Sequence, residues 1–380
     1  MSKENKRQKV FVAMSGGVDS SVSAALLKDA GFDVVGVYMR QWSPEILGKE
    51  CIWKIDRQDA MMVCAKLKIP FETWDFSKEY EKQVGKYMID SYKKGITPNP
   101  DVMCNKIIKF GLFFDKAMKN GADFVATGHY ARISIPSLRG VATTKQSRTY
   151  EIATSPEAPR NDGNLKLLKS KDKNKDQTYF LYEIKKNQLN KILFPVGNLE
   201  KPEVRKLAKK FGLENAQKKD SQGVCFIGQF NMKEFLKMYI KPKQGKIVDI
   251  SHSREYENIV GAHDGVYYYT IGQRHGLDIK NGQGPYFVVK KDLKKNIIYV
   301  GKEKDLQFKK AKIMKINWIS KPEKFPILLD VRARYRAPLK KAVLDKNGNL
   351  TFKKGERAIA SGQSAVFYKG SQVLGGGTIK

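Results

Sequence analysis

Apolar residues fall into two different rhythms along this chain of 380 residues. Up to about residue 130, short apolar β-branched runs alternate with stretches where apolar residues recur at helical spacing. Residues 10–14 (Val-Phe-Val-Ala-Met) predict a buried strand, 20–27 the helix after it, and 33–38 a second strand. Residues 56–67 predict another helix and 124–127 a further buried strand. Strands and helices in alternation imply an α/β domain with a parallel sheet and ligands at the strand C-terminal ends. Residues 133–172 are instead rich in Ser, Thr, Lys, Asn and Pro, with weak strand signals at 150–153 and 165–169. They predict a surface insertion. Helical spacing returns at 202–211, closed by Gly212, and again at 232–239. From Lys246 onward the rhythm is that of strands, at 266–270, 286–289, 297–300, 313–318, 328–334, 342–344, 350–352, 364–368 and 373–378. So many short strands at close spacing predict a small closed barrel.

The first junction carries the chemistry. Between strand and helix stand Ser15, Gly16, Gly17, Val18, Asp19, Ser20 and Ser21, directly after Ala13 and Met14. The glycines let the chain bend, and the turn aims backbone N–H groups and serine hydroxyls at one spot by a helix N-terminus, where phosphate binds. No Gly-Lys-Ser or Gly-Lys-Thr occurs, so this is not a Walker A loop, and it is not a Rossmann fingerprint. Ser-Gly-Gly-x-Asp-Ser resembles the pyrophosphate loop (PP-loop) of ATP pyrophosphatases, which split ATP between its α and β phosphates and move AMP onto an acceptor oxygen. An ordinary glycine turn would need only the glycines, whereas Ser15, Asp19 and Ser20 match as well.

Composition adds a partner. Lys and Arg number 71 against 39 Asp and Glu, a net charge of +32, which favours a polyanion such as nucleic acid, although a lysine-rich genome would raise the lysine count too. Arg332, Arg334 and Arg336 alternate, and on a strand they would share one face. No apolar run is long enough to span a bilayer, and Met1 to Lys9 lacks the apolar core of a secretory signal. Four cysteines in so long a chain do not make a disulfide scaffold, so a reduced cytoplasmic protein is expected. Cys51 and Cys64 read as small buried hydrophobes. Cys104 follows Asn99-Pro100-Asp101, where two prolines precede a helix expected to start near the cysteine. With Lys106 and Lys109 close by, its thiol pKa is expected to be lowered. Cys225 lies in a glycine-flanked polar loop. Without Cys-x-x-Cys or His-Glu-x-x-His, and with His129, His252, His263 and His275 scattered, no zinc site is expected.

Taken together, these motifs resemble the bacterial-type tRNA-uridine 2-sulfurtransferases (2-thiouridylases). The matching stretches are 15–21, Asn99-Pro100-Asp101 with Cys104, 127–130, 175–179, 194–197, 220–228, 334–336, 362–368 and 375–377. The segment 133–172 departs from the family as an insertion. The resemblance implies a PP-loop catalytic domain at 1–190, a central domain with the Cys225 loop at 191–303, and a tRNA-binding β-barrel at 304–380. It implies ATP-dependent 2-thiolation of the wobble uridine of tRNAs for Lys, Glu and Gln, with Cys225 carrying a persulfide, Cys104 as second thiol and Asp101 as acid–base group. Met39 and Gly128 would complete the nucleotide pocket around residues 13–21, with Mg²⁺ held by Asp19. Asn99 and Pro100 would meet the base, and His129, Lys175, Asp176, Gln177, Arg334, Tyr335 and Gln363 the tRNA. A sulfur-carrier protein or cysteine desulfurase would load Cys225. An iron–sulfur cluster on Asp101, Cys104 and Cys225 is an alternative sulfur route. Another tRNA-modifying PP-loop enzyme, lysidine synthase-like, is the alternative activity and would need no cysteine pair.

Overall fold

The computed structural model describes residues 7–42, 52–134, 165–220, 232–251 and 258–380. Cys51, Cys225, His252, the strand expected at 150–153 and most of the insertion lie outside the described residues.

Strand β1 (Lys9–Met14) leads into helix α1 (Val18–Asp29), and β2 (Asp33–Arg40) is followed by α2 (Ile52–Lys66) and β3 (Phe71–Asp75). Next comes α3 (Ser77–Tyr80), which passes through a π-helical turn into α4 (Lys86–Lys93). Helix α5 (Pro100–Met103) runs through a longer π-helical stretch, Cys104–Phe113, into α6 (Phe114–Lys119) and then β4 (Phe124–Thr127). The short pair β5 (Ala131–Ile133) and β6 (Leu167–Lys169) flanks the insertion. Strand β7 (Ile192–Leu193) then completes a parallel sheet in the order β3-β2-β1-β4-β7. Side-chain alternation along β1 feeds two cores. Val10, Val12 and Met14 pack on the α1 and α2 side, while Phe11 and Ala13 pack on the side of the π-helical stretch. Helix α7 (Lys201–Lys210) joins the first of these cores, so this layer continues past residue 190.

Helix α8 (Met232–Tyr239) opens the central part. Its sheet takes β8 (Gly245–Asp249), β9 (Asn258–His263), β10 (Phe287–Asp292) and β11 (Ile297–Gly301) in the order β10-β11-β8-β9. The strand expected at 266–270 is not one. Val266–Tyr268 forms a single 3-10 turn, because Val266 and Tyr268 are buried beneath α8 and the sheet and the Val266 N–H donates to the Asn296 side chain.

The barrel comprises β12 (Gln307–Trp318), β13 (Ile327–Arg332), β14 (Lys340–Leu344), β15 (Asn349–Arg357), β16 (Ser364–Lys369) and β17 (Gln372–Ile379). Their order is β12-β15-β14-β13-β16-β17, and β12 also pairs with β17, which closes the barrel. Strand β6 pairs with β17 and so ties the catalytic layer to it. The shared arginine face does not form. β13 ends at Arg332, the chain bends through Arg334, and Arg336 takes a left-handed φ of 61°.

Candidate active site

The loop after β1 is built mainly from its own short polar groups. Ser20 and Ser21 hydroxyls donate to the Gly17 carbonyl at 3.0 and 2.9 Å, and the Ser15 N–H donates to Ser20 Oγ at 3.2 Å. Gly17 occupies the N-cap of α1 and offers no side-chain cap, leaving the first-turn N–H groups to an anion. Gly16 is required twice over. Its φ is +73°, and a Cβ there would meet the Asp56 carbonyl oxygen at 2.3 Å. Gly128, just past β4, lies so close that a Cβ would meet the Ser20 nitrogen at 2.6 Å. Asn215 donates to the Gly16 carbonyl at 3.0 Å and to Ser21 Oγ at 2.9 Å, fixing the loop from behind. Ala13, Met14, Val18 and Met39 are buried.

Asp19 accepts from the Tyr130 hydroxyl at 2.9 Å and from Lys201 Nζ at 2.7 Å. Lys201 also reaches Asp220 at 2.7 Å, where it is joined by Arg205 at 3.2 Å and by Lys175. Partial burial pushes the Asp220 carboxyl up, but hydrogen bonds from Lys175 and Lys201 outweigh this and hold it at about 2. Among the described residues, no group of three or more His, Cys, Asp or Glu side chains could hold a metal ion. A magnesium ion at Asp19 would therefore draw one hard carboxylate from the described residues and take phosphate oxygens and water for the rest, a set that suits it. A cluster on Asp101, Cys104 and Cys225 would find only the first two among the described residues.

Cys104 lies across the sheet end. Its helix begins one turn earlier than expected, at Pro100, with Asn99 as N-cap accepting from the Val102 N–H at 3.3 Å. The thiol is therefore no longer at the helix N-terminus, and it is fully buried. Desolvation raises its pKa, against the lowering expected from sequence. Asp101 adds to the rise, while Lys109 and a hydrogen bond with Tyr80 oppose it. Gln41, just past β2, approaches the sulfur at 4.0 Å through Nε2. Lys109 Nζ stands 3.4 Å from His129 Nε2, and His129 Nδ1 is 2.8 Å from Thr127 Oγ1. Burial and Lys109 hold His129 neutral, well below its ordinary range. The barrel also reaches this end, where Gln363 Nε2 donates to the Thr97 and Pro98 carbonyls at 3.3 and 3.0 Å.

Several residues that the resemblance assigns to tRNA have interior partners. Asp176 is buried and ion-paired with Arg332 at 3.1 Å, and Gln177 accepts from the Tyr130 N–H at 2.9 Å. Arg334 donates to the Ile271 carbonyl at 3.0 Å, and burial lowers its pKa. Tyr335 packs against Phe180 in a tilted contact, with ring centroids 4.4 Å apart. Sequence reasoning missed Lys201, Asn215 and Gln41. Lys201 is one among 71 Lys and Arg, and nothing in the sequence marks it beyond the following Pro202. Asn215 and Gln41 sit in no motif.

A parallel α/β sheet with this Ser-Gly-Gly-Val-Asp-Ser-Ser loop between β1 and α1 defines a nucleotide-binding enzyme of the PP-loop class. Residues 8–229 match the tRNA methyl transferase HUP domain, 233–302 the tRNA methyl transferase PRC-barrel domain and 308–379 the aminomethyltransferase beta-barrel domain. The chain is 42% identical to the tRNA-specific 2-thiouridylase MnmA of Geobacillus thermodenitrificans, over 100% of this chain and 96% of that protein. It is 42% identical to the protein of the same name from Streptococcus mutans, over 99% of this chain and 96% of that one. Among solved structures it is similar to NMN synthetase from Francisella tularensis, at 14% identity and a TM-score of 0.32 over 60% of this chain and 71% of that one, too low for the likeness to bear on the site. The chain belongs to the tRNA-specific 2-thiouridylase family, enzymes that are transferases acting on tRNA uridine. Among the described residues, no helix is long and apolar enough to cross a membrane.

Proposed function

We propose that the protein carries out ATP-dependent 2-thiolation of the wobble uridine in tRNAs for Lys, Glu and Gln, in the cytoplasm. One observation carries this reading. The C-terminal ends of β1, β2 and β4 gather the phosphate loop, Gln41 beside the buried Cys104, and Gly128-His129 at one end of the sheet. Such an arrangement lets a nucleotide-activated base meet a thiol.

Oxide is a poor leaving group, so the uracil C2 oxygen first attacks the α-phosphorus of ATP and pyrophosphate departs. Magnesium at Asp19 would neutralise phosphate charge. The terminal sulfur of a Cys225 persulfide, loaded by a sulfur-carrier protein or cysteine desulfurase, then attacks C2. Cys104 loses its proton to Asp101 and attacks Cys225 Sγ. The Cys104–Cys225 disulfide forms, the sulfur stays on C2, and AMP leaves with the former C2 oxygen. The two thiols supply the two electrons that reduce the persulfide sulfur. Alternatively, Cys104 attacks first and releases sulfide as the nucleophile.

Asn99 with Pro100 would approach the base, while Arg334 and Tyr335 would face the tRNA. His129, Asp176, Gln177 and Gln363 would act from beneath, holding the surface in shape. Asp19→Ala should abolish tRNA-dependent AMP formation while leaving tRNA binding nearly intact. Mass spectrometry of digested tRNA should detect 2-thiouridine with wild-type protein, ATP and a sulfur donor. Wild-type protein that forms neither AMP nor 2-thiouridine under these conditions would sink the reading.

A further inference from the structure

Three cations converge on one carboxylate beside the phosphate loop. Lys201 and Arg205 reach Asp220 at 2.7 and 3.2 Å, and Lys175 completes the ring. Lys201 and Arg205 stand four residues apart on α7, so both point the same way. The Lys201 ammonium also lies 2.7 Å from Asp19 of the loop, with its side chain only 11% exposed. Asp172 lies in the same cluster and accepts from the Lys201 and Lys175 backbone N–H groups at 3.0 and 3.1 Å, so the three side-chain cations are matched by the carboxylates of Asp19, Asp172 and Asp220, of which Asp220 alone is gripped by all three. A carboxylate held by a guanidinium and two ammonium groups occupies the place that phosphate oxygens would take in the same set of donors.

We propose that Lys201 and Arg205, with Lys175, form the seat for the pyrophosphate end of ATP, and that Asp220 is the anion that fills this seat until the nucleotide displaces it. This rests on the function proposed above for the identity of the nucleotide. When the uracil oxygen bonds to the α-phosphorus, the bond from that phosphorus to the bridging oxygen breaks and its electron pair stays on the pyrophosphate. Negative charge therefore grows on the leaving group, where the three cations stand. Lys201 links the two halves of the site, because the same ammonium orders Asp19 and faces the leaving group.

The test is equilibrium binding of inorganic pyrophosphate, ATP and AMP to the full chain without tRNA. Lys201→Met should weaken pyrophosphate and ATP about tenfold and leave AMP within about twofold. Asp220→Asn removes the competing anion and should tighten pyrophosphate about threefold or more. A cluster that merely braces the fold would make both variants lose pyrophosphate together. Weaker pyrophosphate binding in a folded Asp220→Asn protein therefore overturns the seat. If Lys201→Met fails to fold, Arg205→Gln serves in its place. Pyrophosphate affinity unchanged in the folded variants also overturns it. Pyrophosphate binding that follows the predicted pattern in a protein forming no AMP with tRNA supports the seat and sinks the wider functional reading.

Discussion

Burial raises the Cys104 thiol, and its two charged neighbours pull in opposite directions, Asp101 up and Lys109 down. The folded state thus favours the neutral thiol. Its contribution to stability is full below the ordinary value of 9.0 and is lost as pH rises through the higher folded value. Alkylation of Cys104 by iodoacetamide, followed by mass spectrometry, should be slow at neutral pH and climb only above about pH 9. Lys109→Met should move that midpoint further up, and Asp101→Asn should move it down. Cys104→Ser and Cys225→Ser should each block thiolation while sparing tRNA-dependent AMP formation. Cys64 provides the contrast, because it is fully buried in the α2 core and desolvation pushes its thiol up to about 12. Cys64→Ser should keep the chemistry and cost about 1–3 kcal/mol in a melting experiment, the cost of burying a hydroxyl without a partner. The sequence placed Cys64 in the core by its apolar helix position, and the structure buries it there. It misjudged the acidity of Cys104, because a thiol's depth depends on Tyr80 and its neighbours, which are distant in sequence.

The elements were the most legible level where apolar periodicity was strong. Strand β4 and helix α8 have the ends that their patterns predicted. The strand expected at 266–270 failed because tyrosines favour both strands and buried plugs, and Tyr268 is used as a plug whose hydroxyl donates to the Ile240 carbonyl. The arginine strand failed at its end, where the turn after Arg332 could not be read from alternation. The outcome divides the three arginines. Arg332→Ala would strand the buried Asp176 carboxylate and should cost about 3–5 kcal/mol in thermal or urea unfolding, with the salt dependence of tRNA binding unchanged. Arg334→Ala should weaken tRNA binding and flatten its salt dependence, by about 0.7 in log–log slope for one phosphate contact, in filter binding across a salt series. Tyr335→Ala should weaken binding at an unchanged slope. At the loop between β1 and α1, Gly128→Ala should displace Ser20 and lower AMP formation severalfold, with tRNA binding preserved.

Across the whole molecule, the α/β layer and a strand-rich remainder were legible because the two rhythms of apolar residues change abruptly near Lys246, but the strands between 245 and 301 form a four-stranded sheet of their own and the barrel starts only at Gln307. How the parts join was not legible. The β6–β17 pairing, and the Gln363 hydrogen bonds to Thr97 and Pro98, link segments that no local pattern relates. The bridge from Gln363 has a consequence in time. It spans 266 and 265 positions of sequence, so the approach to Asn99 and Cys104 cannot reach its final shape until β16 has been made. Contacts of such long range form late, after the loop-closure entropy has been met by the barrel's own pairing. A ribosome releases residues from the N-terminal side first. The nascent chain can therefore fold its phosphate loop early while the thiol end of the site waits. A half-made protein would hold a nucleotide site before it could expose a uridine to sulfur, and assembly of the barrel becomes the step that makes the enzyme competent.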